Sequence, residues 1–189
     1  MSNRFFIIII LALLVGLGGY IFSQNSKPKE AIIGTQHAEQ SRDHIATGQT
    51  HEPFNSDPPS SGPHYAGSSA PAPWGVYVQE VPEEVFVHNQ EHGGVIITYK
   101  PDLPKDQVEK LQKLFAPPYS NKSFKPTRAI VTPRPKNTKA IQLAAWTWTL
   151  SLDQYDEDKI MKFYLQRVGK GPEKGAGPFN APINQAADQ

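Results

Sequence analysis

The chain of 189 residues contains no cysteine. Disulfides, zinc-thiolate sites, a lipid-modified N-terminal cysteine and thiol catalysis are therefore excluded. Charge of either sign is not in excess, because 19 Lys and Arg against 18 Asp and Glu leave a formal net charge of +1. No basic cluster interleaves with aromatic residues, so the sequence carries no electrostatic footprint for nucleic acid. Stability of the folded part must come from an apolar core or from a metal site without thiolates.

Histidine, by contrast, is concentrated in one part of the chain. Five of the six histidines fall within residues 44–92, two of them in the string HNQEHGG at 88–94. Imidazole binds transition metals readily and carries a proton near neutral pH, so several imidazoles beside a carboxylate mark a candidate site. We predict a site for a copper or zinc ion. Its predicted ligands are His64, His88, His92, Glu91 and His44, with Glu91 as either a ligand or a partner that orients an imidazole.

The string HNQEH also fits H-x-x-E-H, the spelling of inverted zinc proteases, in which two histidines bind zinc and the glutamate acts as the base. That mechanism requires residues 88–92 to lie on a helix. Residues 85–87 are Val-Phe-Val, which is typical of a strand, so we expect no more than one helical turn. If 85–92 is extended, His88 and His92 lie roughly 13 Å apart and only one of them joins the site. A turn or bulge at 89–90 would shorten that distance.

The N-terminus holds an uncharged apolar run of 18 residues at positions 5–22. At about 1.5 Å per residue the run spans roughly 27 Å as a helix, close to the thickness of a bilayer's hydrocarbon core. Arg4 precedes it, which favours a cytoplasmic N-terminus and a remainder outside the cytoplasm, at the cell surface or in the periplasm. A cleaved signal peptide is the alternative, but its apolar part is normally about 7–15 residues long. We therefore predict a single-pass transmembrane signal anchor.

Four segments are predicted: the anchor at 1–22, a polar tether at 23–43, an exported domain at 44–169 and a flexible tail at 170–189. Within the domain, residues 46–75 are rich in proline, glycine and serine, which predicts a long loop. We name this stretch the proline-rich loop. It also contains aromatic residues, for which a flexible linker has little use, so we expect it to be ordered.

Regular secondary structure is predicted in the second half of the chain. Three apolar, β-branched stretches predict strands at 95–99, 128–133 and 140–150. Two stretches with apolar residues at helical spacing predict helices at 104–115 and 156–168. The expected fold is α+β, a small mixed or antiparallel sheet packed with two helices and preceded by the proline-rich loop and the N-terminal transmembrane helix.

Several strings resemble, in order and spacing, one known family. They are FNSDPPSSGPHY (54–65), APWGVY (72–77), VHNQEHGGVIITY (87–99), VTPRP (131–135), AAWTWTLSLDQYDE (144–157) and GKGPE (169–173). The chain is thereby similar to the Domain of Unknown Function 3105 family over roughly residues 44–173. The resemblance implies a protein with an N-terminal membrane segment and an exported domain. It assigns no activity, so the residues themselves must indicate the function.

Three classes of function fit these features. The first, which we prefer, is an exported domain that binds copper or zinc through a histidine cluster. The second is a metal-dependent hydrolase with Glu91 as general base toward a metal-bound water. The third is a structural or partner-binding envelope ectodomain whose histidines belong to a hydrogen-bond network. If the imidazole nitrogens converge on one point, the two metal-binding classes are supported. If they do not, the structural or partner-binding class is supported. The sequence leaves open whether the protein is an enzyme, and it names no protein partner.

Overall fold

The structure, a computed structural model, describes residues 3–25, 30–68 and 70–173. Its helices are α1 (Asn3–Asn25), α2 (Glu83–Glu91), α3 (Lys105–Phe115) and α4 (Glu157–Arg167). Its strands are β1 (Thr35–Gln36), β2 (His44–Ile45), β3 (His64–Tyr65), β4 (Gly75–Val76), β5 (Val95–Tyr99), β6 (Ala129–Pro133), β7 (Ile141–Ala145) and β8 (Trp148–Leu152). The chain divides into two compact units, Met1–Ile32 and Ile33–Gln189.

The first unit contains α1, which covers the apolar run at 5–22 that predicts a membrane anchor. The side chains that the structure describes in this helix are exposed. Among the described residues, no helix combines the length and the apolar character needed to cross a bilayer. The helix itself is thus observed, whereas the predicted transmembrane anchor has no support from the structure.

The second unit is built on a mixed six-stranded sheet with the order β1-β8-β7-β5-β6-β4. Strands β5 and β6 run parallel, and α3 lies between them in the chain as the crossover. Strand β7 is antiparallel to β5 and to β8, while β2 and β3 form a separate parallel pair. These findings confirm the α+β class and the mixed sheet, with β5, α3 and α4 within one residue of their predicted limits.

Alternate residues of the buried strands face opposite sides of the sheet, as the pleat requires. On β5, Ile97 packs in one apolar cluster and Ile96 in another. The first face is covered by α3 and α4, whose buried side chains include Leu114 and Phe163. The second face is covered by α2 and the proline-rich loop, with Phe86 at its centre. The candidate site belongs to this second layer, because α2 carries part of it.

Helix α2 corrects the expectation that residues 85–87 form a strand. The helix begins after Pro82, and two glutamates, Glu83 and Glu84, occupy its first turn, where their charge interacts favourably with the helix dipole. Residues 85–87 are all buried, and the four residues after them are buried as well. A helix that is covered on every side shows no polar face, so its sequence lacks the helical period.

The strand predicted over 140–150 is also wrong, because these residues form the hairpin of β7 and β8. Trp146 and Thr147 lie in the turn. Thr147 has a φ of 62°, a left-handed conformation that β-branched residues seldom adopt, and its amide donates to the carbonyl of Ser60 (N···O 2.7 Å). The proline-rich loop therefore helps to fix a turn that contains none of the usual glycine or asparagine signals.

The limits of the folded unit extend beyond the predicted domain. Its first residue is Ile33, and β1 pairs with β8, so part of the segment predicted as a tether belongs to the sheet. The proline-rich loop is ordered, with residues 58–62 buried. The predicted tail lies outside the described residues from position 174 onward, whereas residues 170–173 are described and contact the end of α2.

Candidate metal centre

Helix α2 supplies two of the candidate ligands, His88 and Glu91, from its last turn. The helix ends in a Schellman motif, in which the amide of Gly94 donates to the carbonyl five residues earlier (N···O 2.8 Å). Gly93 has a φ of +79°, and a Cβ atom at this position would lie 2.8 Å from Cα of Gly169. Helix α2 therefore ends before Gly93, and His88 and Glu91 lie in its last turn.

The other two candidates, His44 and His64, come from the short strands β2 and β3. The strands pair in parallel with His44 directly opposite His64, and the amide of His64 donates to the carbonyl of Asp43 (N···O 3.0 Å). The side chain of His64 is fully buried, whereas 46% of the His44 side chain is exposed. The strand pairing thus brings a buried and a half-exposed imidazole side by side.

Three imidazoles converge. The ligand nitrogens of His44, His64 and His88 all lie within 4.8 Å of one another. The rings of His44 and His88 stack with an interplanar angle of 21°, and the ring of His64 stands edge-on to both at centroid distances of 4.8 and 5.0 Å. Metal–nitrogen bonds in histidine sites are about 2.0–2.1 Å long, so ligand nitrogens of one ion lie within about 4 Å of one another. The nitrogens observed here lie somewhat farther apart than that limit.

Glu91 connects two of the three rings. Its Oε2 atom lies 3.0 Å from Nε2 of His64 and 3.3 Å from Nε2 of His44. The residue is only 2% exposed, so the carboxylate stands among imidazoles and not in water. Separations near 3 Å are hydrogen-bond distances and are also typical of two ligands on one ion. The geometry therefore suits both of the predicted roles of Glu91.

Backbone carbonyls fix the orientation of two rings. Nδ1 of His64 donates to the carbonyl of Gly62 (N···O 2.8 Å), and Nδ1 of His88 donates to the carbonyl of Tyr65 (N···O 2.6 Å). Because a carbonyl oxygen only accepts hydrogen bonds, both Nδ1 atoms carry a proton. Nε2 is then the atom that each ring offers to a metal, which is how backbone contacts commonly orient metal-binding histidines.

His92, the remaining predicted ligand, lies outside this group of three. Its ring stacks on that of His88 with centroids 4.8 Å apart, and its Nδ1 lies 3.4 Å from Oε2 of Glu173. The spacing of four residues places the two rings in contact, as on any helix. In the zinc-protease arrangement His88 and His92 would be the paired ligands, whereas the structure groups His88 with His44 and His64.

Burial lowers the pKa of the His88 imidazole, and the neighbouring histidines lower it further, against the opposing effect of the hydrogen bond to Tyr65. Burial also lowers the pKa of His92, although the carboxylates of Glu173 and Glu91 act in the opposite direction. Both pKa shifts therefore favour the neutral form of the ring. Neutral imidazole is the form that binds a metal ion.

The residues between the candidate ligands hold the proline-rich loop. Oδ1 of Asn89 accepts from the amide of Ala72 (3.0 Å) and Nδ2 donates to the carbonyl of the same residue (2.8 Å). Nε2 of Gln90 donates to the carbonyl of Pro59 (2.9 Å). Each of the four residues from His88 to Glu91 thus hydrogen-bonds the loop. Sequence reasoning considered residues 89–90 only as a turn or bulge that would shorten the distance from His88 to His92, and it gave neither amide this role, because a buried amide has no distinguishing pattern.

Arg134, just after β6, joins the proline-rich loop to the start of α2. The residue is 3% exposed, and its Nη2 atom lies 2.6 Å from Oδ1 of Asp57 and 2.6 Å from Oε1 of Glu83. One buried cation therefore bridges the loop and the helix that carry the candidate ligands. Sequence reasoning missed this residue as well, since a single arginine after a strand gives no signal.

Residues 169–173 close over the end of α2. The amide of Gly169 donates to the carbonyl of Gly93 (N···O 2.8 Å), and the amide of Glu173 donates to the carbonyl of Glu91 (N···O 3.1 Å). Gly171 packs directly on the Glu91 carbonyl, where no side chain fits. This short segment therefore supports the backbone of Glu91.

The chain was compared with known proteins, and one protein family matches it. No curated protein and no solved structure matches the chain. A family model described as "Protein of unknown function (DUF3105)" matches residues 44–178, which is more than half of the chain and includes every candidate ligand. The resemblance drawn from the sequence strings is thus confirmed, and the chain belongs to the DUF3105 family.

Proposed function

We propose that this protein binds one transition-metal ion, copper or zinc, through His44, His64 and His88. The observation that carries the proposal is the convergence of three imidazoles from three separate segments, with ligand nitrogens within 4.8 Å of one another. Backbone carbonyls orient two of the rings so that Nε2 is the nitrogen offered to an ion, and Nε2 of His64 also faces Oε2 of Glu91. Neutral imidazoles without thiolates form a ligand set that both zinc and copper accept.

Glu91 belongs to the same proposed site, as the fourth ligand or as the partner that orients two imidazoles. A carboxylate at 2% exposure needs a positive partner, and an ion held by the neighbouring histidines would supply that charge.

Calorimetric titration of the full-length protein with zinc and with copper(II) tests the proposal. At about pH 7.5, well above the ordinary histidine pKa, we expect one saturable site for at least one of the two ions. The variant His64→Gln should lose it. The variant His51→Ala is the matched control, since His51 contacts Glu84 outside the group of three, and it should bind as the wild type does. Absence of saturable binding of both ions to the wild type refutes the proposal.

We further propose that this domain lies outside the cytoplasm. The support is in the sequence, where Arg4 precedes an uncharged run at 5–22. Alkaline phosphatase fused after residue 30 should be active, and a fluorescent protein that matures only in the cytoplasm should be dark at the same position. The reverse pattern would exclude export. Sequencing of the mature N-terminus distinguishes a retained segment from a cleaved one.

A further inference from the structure

The candidate ligands differ in how firmly their segments are held. His44 lies in a stretch, residues 41–50, that we name the His44 segment. The structure describes all ten of these residues and none of them is buried; Ile45 is half-buried and the others are exposed. The His64 side chain is fully buried and His88 is 7% exposed, both in well-packed surroundings. One proposed ligand is therefore on an exposed segment and two are fixed in the domain.

The residues before the His44 segment are attached more securely. Strand β1 pairs with β8 at the edge of the main sheet, and the amide of His37 donates to the carbonyl of Thr147 (N···O 2.8 Å). The ring of His37 also contacts Oγ1 of Thr149 (2.8 Å). By contrast, the contacts described between the His44 segment and the body include the two-residue pairing of β2 with β3, the ring contacts of His44 with His64 and His88, and the contact of His44 with Glu91.

We propose that metal binding fastens the His44 segment to the domain, so that occupancy of the site controls whether this segment is docked or open. This inference rests on the proposed metal-binding function. An ion bound to Nε2 of His64 and His88 completes its ligand set only when His44 is in place. The ion is then a bridge between an exposed segment with little apolar contact and a rigid body. Segments with few buried contacts open locally at low cost, so one added bond has a large effect on them.

The size of the effect follows from mass action. A ligand that binds only the docked form lowers the population of the open form by a factor of 1 + [L]/Kd, about a hundredfold at a hundredfold excess over Kd. Some of that factor is lost, because His64, His88 and Glu91 retain weaker affinity for the ion when the segment is open. We therefore expect the open population to decrease between about tenfold and about a hundredfold.

Limited proteolysis of the full-length protein with trypsin measures this opening. Arg42 lies two residues before His44, with its side chain 53% exposed. Because a protease cuts a locally opened stretch of chain, the rate of cleavage after Arg42 follows the population of the open form. Lys122, in an exposed turn outside the site, serves as an internal control for effects of zinc on the protease. With zinc present in excess, cleavage after Arg42 should slow by at least about tenfold relative to a chelator-treated sample, while cleavage after Lys122 is unchanged.

Two variants make the result specific. His44→Ala should lose the protection of Arg42, because the ion no longer reaches the segment. His51→Ala, one residue beyond the segment, should keep it. Hydrogen exchange of the amides at 43–46 gives a second measure of docking that does not depend on the protease.

The outcomes separate the two proposals. If calorimetry shows a zinc site and the cleavage rate at Arg42 does not change, the fastening of the segment is refuted and the metal site stands. If His44→Ala keeps full protection, the fastening is also refuted. If neither zinc nor copper(II) binds the wild type, both proposals fail together; if only copper(II) binds, the same proteolysis is carried out with copper(II), and an unchanged cleavage rate at Arg42 then refutes the fastening alone.

Discussion

Nε2 of His64 lies 3.0 Å from Oε2 of Glu91, and both side chains are almost completely removed from solvent. The opposite nitrogen of the same ring donates to a backbone carbonyl. A neutral imidazole has one N–H, and here both of its nitrogens face acceptor oxygens. An extra proton or a metal ion between His64 and Glu91 satisfies this arrangement, which makes the pair the most informative point at which to alter the site.

Replacing Glu91 by Gln keeps the shape of the side chain and removes its charge. We expect the affinity for zinc to fall by about tenfold to a hundredfold, as is usual when a group that orients metal ligands is lost. Glu84→Gln is the matched control, because Glu84 lies in the first turn of α2 and contacts His51, which is not one of the proposed ligands. Calorimetry of the two variants beside the wild type makes the comparison. Equal affinity of all three would show that Glu91 has no part in the site.

Removing the metal should lower the melting temperature. An ion at a hundredfold excess over its Kd stabilises the folded state by about 2.7 kcal/mol. For a domain of this size that corresponds to about 5–10 °C. Thermal denaturation followed by circular dichroism, with zinc and then with a chelator, measures the difference. The melting temperature of His64→Gln should not change with zinc. If the wild type loses its metal, as verified by metal analysis, and its melting temperature does not change, the prediction is wrong.

The metal-free protein should lose stability on acidification. Burial lowers the pKa of His88 and of His92 in the folded state, while the unfolded chain keeps the ordinary value near 6.5. Below that pH the unfolded state therefore binds more protons than the folded state. The free energy of unfolding is highest above about pH 6.5 and decreases as pH falls through the lowered pKa values.

Denaturant titrations of chelator-treated protein between about pH 7.5 and pH 5 measure this dependence. The double variant His88→Gln/His92→Gln is the control and should show a shallower decrease. If the stability of the double variant decreases with pH as steeply as that of the wild type, groups other than His88 and His92 cause the pH dependence.

Arg134 should be essential for stability, because its removal leaves carboxylates without their buried partner. We expect Arg134→Met to destabilise the fold by about 1.5–3 kcal/mol, the range for hydrogen bonds to charged groups, because the Asp57 and Glu83 side chains are 45% and 15% exposed. Lys136→Met is a sharp control, since Lys136 contacts the same Glu83 at 3.5 Å but is 69% exposed. Exposed ion pairs contribute about 0–1 kcal/mol, so this variant should be nearly neutral in the same denaturant titration. Equal effects of the two substitutions would contradict the bridging role of Arg134.

The elements that sequence periodicity predicts well are those with one buried and one exposed face. Helix α3 has an apolar side that includes Leu111 and Leu114, and its polar side faces solvent, so its period is visible. Helix α2 is buried around its last two turns, including the polar Asn89 and Gln90 at 0% exposure. Its signals lie at its two ends: Pro82 is followed by the two acidic residues of the first turn, and the glycine pair at 93–94 ends the helix.

The candidate site was predictable in its residue types but not in its grouping. Clustered histidines beside Glu91 indicated metal chemistry, and the structure brings His44, His64 and His88 together. Whether His44 or His92 completes such a group depends on the register of β2 against β3. A strand of two residues is too short to show an alternation of apolar and polar residues, so the sequence does not predict that register. The metal-binding role of all five predicted ligands stays a prediction.

The separate origins of the three imidazoles bear on the order of events during biosynthesis. His64 and His44 lie 27 and 47 residues from Glu91 along the chain, so an unfolded polypeptide must close long loops before these groups meet. A zinc finger, whose ligands are grouped in close pairs along the sequence, is gathered by its ion as it folds. Here two apolar clusters pack on the faces of the sheet without the ion, so we expect the metal-free chain to fold before the proposed site is filled, with only the His44 segment open.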